Sequence, residues 1–365
     1  MEVRDELEAW LRANLPWEYG RGLPPRFEDL AEEVAFGRDW QRRLAADRWV
    51  GVTWPVEYGG RAASAVDNFA VQEELARARA PELVGRIGVN LVGPTLLAHG
   101  TADQRQRWLP RILDASDLWC QLFSEPDAGS DLRSLKTRAV SVEGGWRLTG
   151  QKVWTSYAQF ADWGLCLATD ARITCFAVDM TAPGIDVRPL VQLTGEAEFN
   201  EVFLTDVFVP DDSVIGAVDD GWRVANSTLS AERGVNPRQL VIHIQLVEEL
   251  LRLALERGGF DDHRVRQRLA QAFVEVKVFQ LHNRRTLARL TRGEEPGPEG
   301  SALKLYWSEM SKRLHDTAMT VLGPESSLFG PWQRSWLYYH AASIFSGTNE
   351  IQRTIIGERV LGLPR

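Results

Sequence analysis

The spacing of apolar residues changes period twice along these 365 residues, and each change limits what the segment can form. From Val3 to about Leu113, apolar residues recur three and four positions apart, as in Leu7, Trp10 and Leu11 and again in Val66, Phe69, Ala70 and Leu75. That is the period of helices with one buried face. Ser64 stands before the second set as an N-cap, and Trp54-Pro55-Val56-Glu57-Tyr58-Gly59-Gly60 interrupts the pattern as a loop. Around Leu118 the period shortens toward two, that of a strand. Val140–Val142 and Trp146–Leu148, joined by Glu143-Gly144-Gly145, read as a hairpin; 173–178, 187–190 and 202–209 continue in that style, with Ala182-Pro183-Gly184 as a turn. After Gly221 the helical period returns over about 239–256, 265–292, 301–322 and 332–345, with 293–300 as a surface connection. In the second of these, Val265, Leu269, Phe273, Val276, Phe279, Leu287 and Leu290 cover more than one face, as in a helix buried in a bundle or at a subunit interface. The pattern predicts an α+β multi-domain chain: N-terminal helices over 1–116, a small β-domain over 117–220 and a helical bundle over 221–365.

Charge and cysteine usage remove several function classes. The formal net charge is −8 without a dense Lys/Arg block, so nucleic acid and anionic membrane surfaces are not expected partners. The three cysteines, Cys120, Cys166 and Cys175, lie in apolar contexts without metal-ligand spacing, which reads as reduced thiols in a cytoplasmic protein with no metal. The six histidines, His99, His243, His263, His282, His315 and His340, form no ligand pair. The acidic N-terminus has no apolar leader and no run approaches a membrane span, so a soluble chain without membrane insertion is expected. Neither G-x-G-x-x-G after a strand nor G-x-x-x-x-G-K-[ST] is present, so any nucleotide cofactor must be held in another way.

Two segments suit such a cofactor. Leu122-Phe123-Ser124-Glu125-Pro126-Asp127-Ala128-Gly129-Ser130-Asp131 ends an apolar run with hydroxyls, turn-forming backbone and main-chain N–H groups. Gly150-Gln151-Lys152-Val153-Trp154-Thr155-Ser156 sets a flat indole beside two hydroxyls. An aromatic face with small donors nearby suits a planar, hydrogen-bonding heterocycle. Either segment alone is an ordinary turn, and Thr348 alone an ordinary helix cap. With the C-terminal Ser346-Gly347-Thr348-Asn349-Glu350-Ile351-Gln352-Arg353, they resemble the acyl-CoA dehydrogenase family, in order and over nearly the whole chain.

The resemblance implies an N-terminal α-helical domain, a middle β-barrel or sandwich domain and a C-terminal four-helix bundle. FAD would lie between the β-domain and the C-terminal helices, its adenine end reaching a neighbouring subunit. Gln121, Phe123 and Ser124 match positions lining the isoalloxazine, Trp154 and Ser156 those on its other side, and Ser130 the serine where flavin meets thioester. Thr348 and Glu350 match the pair near the flavin phosphates and ribityl chain, with a backbone or ribose contact more credible for an acidic Glu350. The implied reaction is α,β-dehydrogenation of an acyl-CoA, with electrons passed to an electron-transfer flavoprotein. Many members carry the catalytic glutamate immediately before the C-terminal Gly-Thr, where this chain has Ser346. Members resembling the isovaleryl and long-chain enzymes carry it before an arginine at the start of a C-terminal-domain helix, where this chain has Glu232 and Arg233. Glu232 is thereby assigned as base, Arg233 as a substrate-side or structural cation and the Ser346 N–H as donor to the thioester oxygen.

Two segments depart from the family pattern. Arg257-Gly258-Gly259-Phe260-Asp261-Asp262 stands where many relatives have R-x-x-F-G, and Val321-Leu322-Gly323-Pro324-Glu325 replaces a glycine-rich turn that often contacts a partner subunit. Similar divergences occur in bacterial members acting on bulky acids such as sterol side chains, some of them heteromeric. The expected assembly is a homo- or hetero-oligomer, dimer or tetramer. The alternatives are a non-catalytic partner subunit of a heteromeric dehydrogenase and a related flavin oxidase.

Overall fold

The computed structural model describes residues 2–20, 27, 29–231, 237–294 and 297–364. In chain order the helices and strands are α1 (Glu2–Asn14), α2 (Leu30–Ala46), α3 (Ala65–Arg77), α4 (Gly93–His99), α5 (Ala102–Leu113), β1 (Trp119–Leu122), β2 (Arg138–Val142), β3 (Gly145–Ser156), β4 (Trp163–Thr169), β5 (Ile173–Asp179), β6 (Ile185–Leu190), β7 (Phe199–Pro210), β8 (Val214–Ile215), α6 (Gly221–Ala231), α7 (Pro237–Glu256), α8 (His263–Thr291), α9 (Gly300–Leu322), α10 (Pro331–His340) and α11 (Asn349–Ile355). The order is therefore N-terminal helices, a middle sheet domain and C-terminal helices. By compactness the chain forms two units: 22–63 with 81–232, and 1–21 with 64–80 and 233–365.

The first unit is built on one eight-stranded sheet in the order β6-β7-β3-β2-β4-β5-β8, with β1 paired in parallel to β4. A single residue pair, Arg138 with Thr169, joins β2 to β4, so the sheet is close to two halves that fold face to face. Leu148, Val202, Leu204, Val207 and Val209 from one half share a core with Cys120, Leu122, Cys166, Phe176 and Val178 from the other. Alternation along β7 produces this, interrupted between Leu204 and Val207, where a bulge with Asp206 at φ 54° resets the phase so that Val207 and Val209 again point inward. Helix α5 docks on the sheet through Trp108, whose ring meets Trp119 at 5.5 Å and Trp163 at 5.3 Å. Arg38 of α2 donates to the Ala115 carbonyl and pairs with Asp162 at 2.9 Å. The hairpin and the strands of 173–178, 187–190 and 202–209 lie where the period predicts. Strand β4, five of whose seven residues are buried, has no alternation to reveal it.

Helix α4 follows directly on a π-helical turn over Gly88–Val92, and its first residue, Gly93, has room for nothing larger. A Cβ at that position would lie 2.0 Å from Cζ2 and 2.1 Å from Cη2 of the buried Trp54 indole. Gly93→Ala is expected to lose about 1 to 3 kcal/mol through overpacking, more than alanine's helix propensity returns. Chemical denaturation of the variant measures this; a gain in stability would mean that the indole moves freely.

The second unit combines α1 and α3 with α7 to α11. Ser64 caps α3 in a reciprocal capping box with Asp67, as its position predicts. Arg4 reaches Glu73 at 2.6 Å, and Arg79 reaches Glu249 on α7 at 2.7 Å. Leu240, Val247 and Leu250 of α7, Val265, Leu269, Val276 and Phe279 of α8, and Met310, Leu314 and Ala318 of α9 form one core. Phe273, on the expected wide stripe, lies outside this core: it is 46% exposed, on an outer face of α8 with Val274 and Leu281. The helix expected over 332–345 stops at His340, where Ala341–Ser343 tightens into a 3-10 turn before Ser346 enters the left-handed region at φ 54°.

Candidate functional site

The end of β1 and the middle of β3 form a platform in the first unit. Val153 N–H donates to the Ser124 carbonyl at 3.0 Å, lacing the two segments together. Register between β3 and β7 slips between Lys152 and Thr155, a β-bulge that places Trp154 in the left-handed region at φ 59°. A bulky residue there costs on the order of 1 to 3 kcal/mol, and such strain concentrates where a side chain must be aimed. Trp154 is aimed outward: its indole is 63% exposed, its nearest ring being Phe199 at 6.2 Å. Gln121, Ser124 and Ser156 are half-buried, Ser130 is exposed, and a Cβ at Gly129 would meet nothing within 4 Å. The Phe123 side chain is buried, so its part in any binding is through main chain.

Beneath the platform lies an ion pair that the sequence reading did not assign. Lys152 is fully buried in the middle of β3, and its Nζ donates to Glu125 Oε1 at 2.8 Å and to the Leu167 and Phe123 carbonyls at 2.7 and 3.3 Å. Glu125 also accepts from the Lys136 and Thr137 N–H groups at 2.6 and 3.0 Å. Burial pushes the Glu125 carboxyl up, but the Lys152 ammonium and these hydrogen bonds outweigh it and hold the group below the usual range. Because the Phe123 carbonyl turns inward to Lys152, the trans peptide sends the Ser124 N–H the opposite way. An exposed flat ring beside an outward donor and open, hydroxyl-bearing backbone fits an isoalloxazine, so the residues present suit FAD. A lysine in the same alternating register as Trp146, Leu148 and Gly150 was the available signal in the sequence.

In the second unit, Ser346 and Gly347 are exposed and both left-handed, at φ 54° and 84°. Thr348 is the N-cap of α11, its hydroxyl accepting from Ile351 N–H at 3.3 Å, so the ordinary cap role holds as well. The Glu350 side chain is 78% exposed, 3.4 Å from Arg353. Lys304 of α9 and Gln352 of α11 reach into this turn and were not singled out from the sequence. Glu232 and Arg233 lie outside the described residues. Each unit thus gathers its own share of the expected positions, Gln121 to Ser156 in one and Ser346 to Glu350 in the other.

The two departing segments meet. Arg257 grips Glu325 with two hydrogen bonds of 2.5 and 2.7 Å, a bidentate pair on the surface of the second unit. Among the described residues no cluster of three or more metal-ligating side chains occurs, and no helix is long and apolar enough to cross a membrane.

Comparison with known proteins adds independent findings. Family models described as the acyl-CoA dehydrogenase N-terminal, middle and C-terminal domains match residues 11–116, 120–207 and 219–361. The acyl-CoA dehydrogenase IpdE1 of Mycobacterium tuberculosis is 41% identical over 100% of this chain and 98% of its own length. The acyl-CoA dehydrogenase FadE34 of the same organism is 41% identical over 94% of this chain but only 49% of its own length. Among solved structures, the Tcur3481–Tcur3483 steroid ACAD matches with TM-score 0.83 and 27% identity, covering 100% of this chain and 97% of that one. The ChsE4–ChsE5 complex from Mycobacterium tuberculosis matches with TM-score 0.82 and 28% identity, with the same coverage.

Proposed function

This chain belongs to the acyl-CoA dehydrogenase family, whose members depend on FAD, and on that premise we propose that it converts an acyl-CoA thioester to its 2,3-enoyl-CoA. When bound, FAD supplies the hydride acceptor. Gln121, Phe123 and Ser124 offer main-chain donors to the flavin ring, Trp154 a stacking face and Ser156 a hydroxyl; Thr348 and Glu350 serve the ribityl and phosphate end. Ser130 stands at the thioester, Glu232 takes the α-proton, Arg233 is the substrate-side cation and the Ser346 N–H steadies the oxygen that gathers charge. The observation that carries the reading is Trp154, whose left-handed backbone holds its indole out from the sheet at 63% exposure. The proposed division stays at 1–116, 117–220 and 221–365. We assign electrons to an electron-transfer flavoprotein, place the protein in the cytoplasm as an oligomer, and favour a bulky, ring-containing acyl group because a solved relative is described as a steroid ACAD.

Glu232→Gln, purified with FAD and mixed anaerobically with a turned-over acyl-CoA, is expected to slow flavin bleaching by about 10²- to 10⁴-fold. Undiminished bleaching would remove Glu232 from the mechanism. A panel spanning straight-chain and ring-containing thioesters tests the acyl group in the same cuvette.

A second reading, a non-catalytic partner subunit, draws on Ser346 and on Arg257, whose guanidinium is committed to Glu325. It also draws on a solved relative described as a two-component complex. Expression alone separates the two readings: yellow protein favours the enzyme, and colourless protein that gains flavin only with a co-expressed paralogue favours the partner.

A further inference from the structure

We propose that Lys304 and Gln352 are positioning residues that clamp the Ser346–Gly347–Thr348 turn, so that the Gly347 and Thr348 N–H groups face outward as donors to a ligand oxygen that carries or gathers negative charge. The clamp is visible in the hydrogen bonds. Gln352, fully buried, donates from Nε2 to the Ser346 and Gly347 carbonyls, both at 3.1 Å. Lys304 donates from Nζ to the Gly347 carbonyl at 2.8 Å and to Asn349 Oδ1 at 3.3 Å. Asn349, itself 2% exposed, is fixed by Ser308 at 2.9 Å and Glu309 at 2.7 Å. Two successive carbonyls are thus pulled toward the helices, and across each trans peptide the N–H points the other way.

Neither Gly347 N–H nor Thr348 N–H donates to another described residue. The left-handed φ of Ser346 and Gly347 is what turns both peptides alike, and a Cβ at Gly347 would lie 2.6 Å from Gln352 Nε2. Nothing in a helix cap requires this arrangement, because Thr348 caps α11 through its hydroxyl alone.

Lys304 adds polarisation to aim. A cation on the Gly347 carbonyl strengthens that peptide's dipole and makes the Thr348 N–H a better donor. The ammonium is half-buried; burial pushes its pKa down to about 8 against the pull of Glu350 on α11 and Glu309 on α9, with Lys312 of α9 adding to the depression. The charge is therefore present below about pH 8 and lost above it, and donor strength follows the same sign. The ligand class rests on the acyl-CoA reading; the clamp does not.

The test uses the full flavin-loaded chain, with glycine carbonyls labelled in ¹³C and threonine nitrogens in ¹⁵N. Only Gly100–Thr101 and Gly347–Thr348 carry the coupled pair, and Thr348→Ser identifies the second signal. The Gly347 carbonyl is expected to titrate near pH 8 and to stop titrating in Lys304→Met. In stopped flow with a turned-over acyl-CoA, Lys304→Met is expected to lower the limiting rate of flavin reduction by about 10- to 100-fold with little change in the half-saturating concentration. Lys304→Arg should restore most of the rate and move the alkaline limb out of range. A Gly347 carbonyl that ignores pH, or a Lys304→Met protein with the parent's rate and alkaline limb, overturns the proposal. If no acyl-CoA reduces the parent protein while the carbonyl still titrates, the clamp stands and the substrate reading falls.

Discussion

Lys152→Met is expected to destabilise the sheet-bearing unit by about 3 to 5 kcal/mol, the range for stranding one partner of a buried ion pair. The ammonium has no exposed surface and three acceptors, and the Glu125 side chain is 5% exposed. Methionine fills the volume but leaves a buried carboxylate with only the Lys136 and Thr137 N–H groups. The double variant Lys152→Met with Glu125→Gln removes the stranded charge and is expected to recover about half of the loss. Denaturant unfolding of both variants measures this, and flavin content measures the platform above. Loss of FAD at low temperature, before unfolding, is expected for Lys152→Met because the Phe123 carbonyl is released and the Ser124 N–H loses its aim. A single variant as stable as the parent would falsify the view that this pair supports the platform.

Lowering the pH from 7 to 4 is expected to weaken the helical unit by roughly 3 kcal/mol for each of two buried histidines. His243 gives Nδ1–H to the Gln239 carbonyl at 2.7 Å, and its Nε2 faces Ser311 Oγ at 2.8 Å. His315 gives Nδ1–H to the Ser311 carbonyl at 2.7 Å, and its ring stacks on Tyr339 at 4.5 Å. Burial drives both pKa values down to about 4. For His243 the neighbouring His315 adds to this, and the Gln239 carbonyl opposes it; for His315 the Ser311 carbonyl and Asp316 oppose it, and His340 adds to it. Because the folded values lie below the ordinary 6.5, the unfolded chain takes up protons first. The stabilisation is whole above about pH 6.5, falls as the pH drops through 4 and levels off about one unit below that. Urea midpoints across this range, compared with those of His243→Gln/His315→Gln, isolate the effect. Parallel curves for parent and double variant would show that the rings do not drive it.

Most of the architecture was legible because period and punctuation are local properties. Ser64 as cap, the Gly144 turn between β2 and β3, and the helices after Gly221 each follow from neighbouring residues. Strand β4 was not legible: it is buried nearly throughout, and a continuous apolar run carries no period. The packing of α3 on α7 was not legible either, since it joins positions roughly 170 apart, as in Arg79, just beyond α3, with Glu249.

The order of elements, the family and the residue types at the platform and the C-terminal turn were determined by sequence alone, because they depend on residue chemistry read in order. Tertiary structure alone decided which groups act together. Lys152 and Glu125 stand 27 positions apart, and Lys304 and Gly347 stand 43 apart. Hydrogen bonds aim a backbone donor only when distant segments bring the opposing cation or amide to the carbonyl behind it. That pairing is a property of the folded chain, and no spacing along the sequence encodes it.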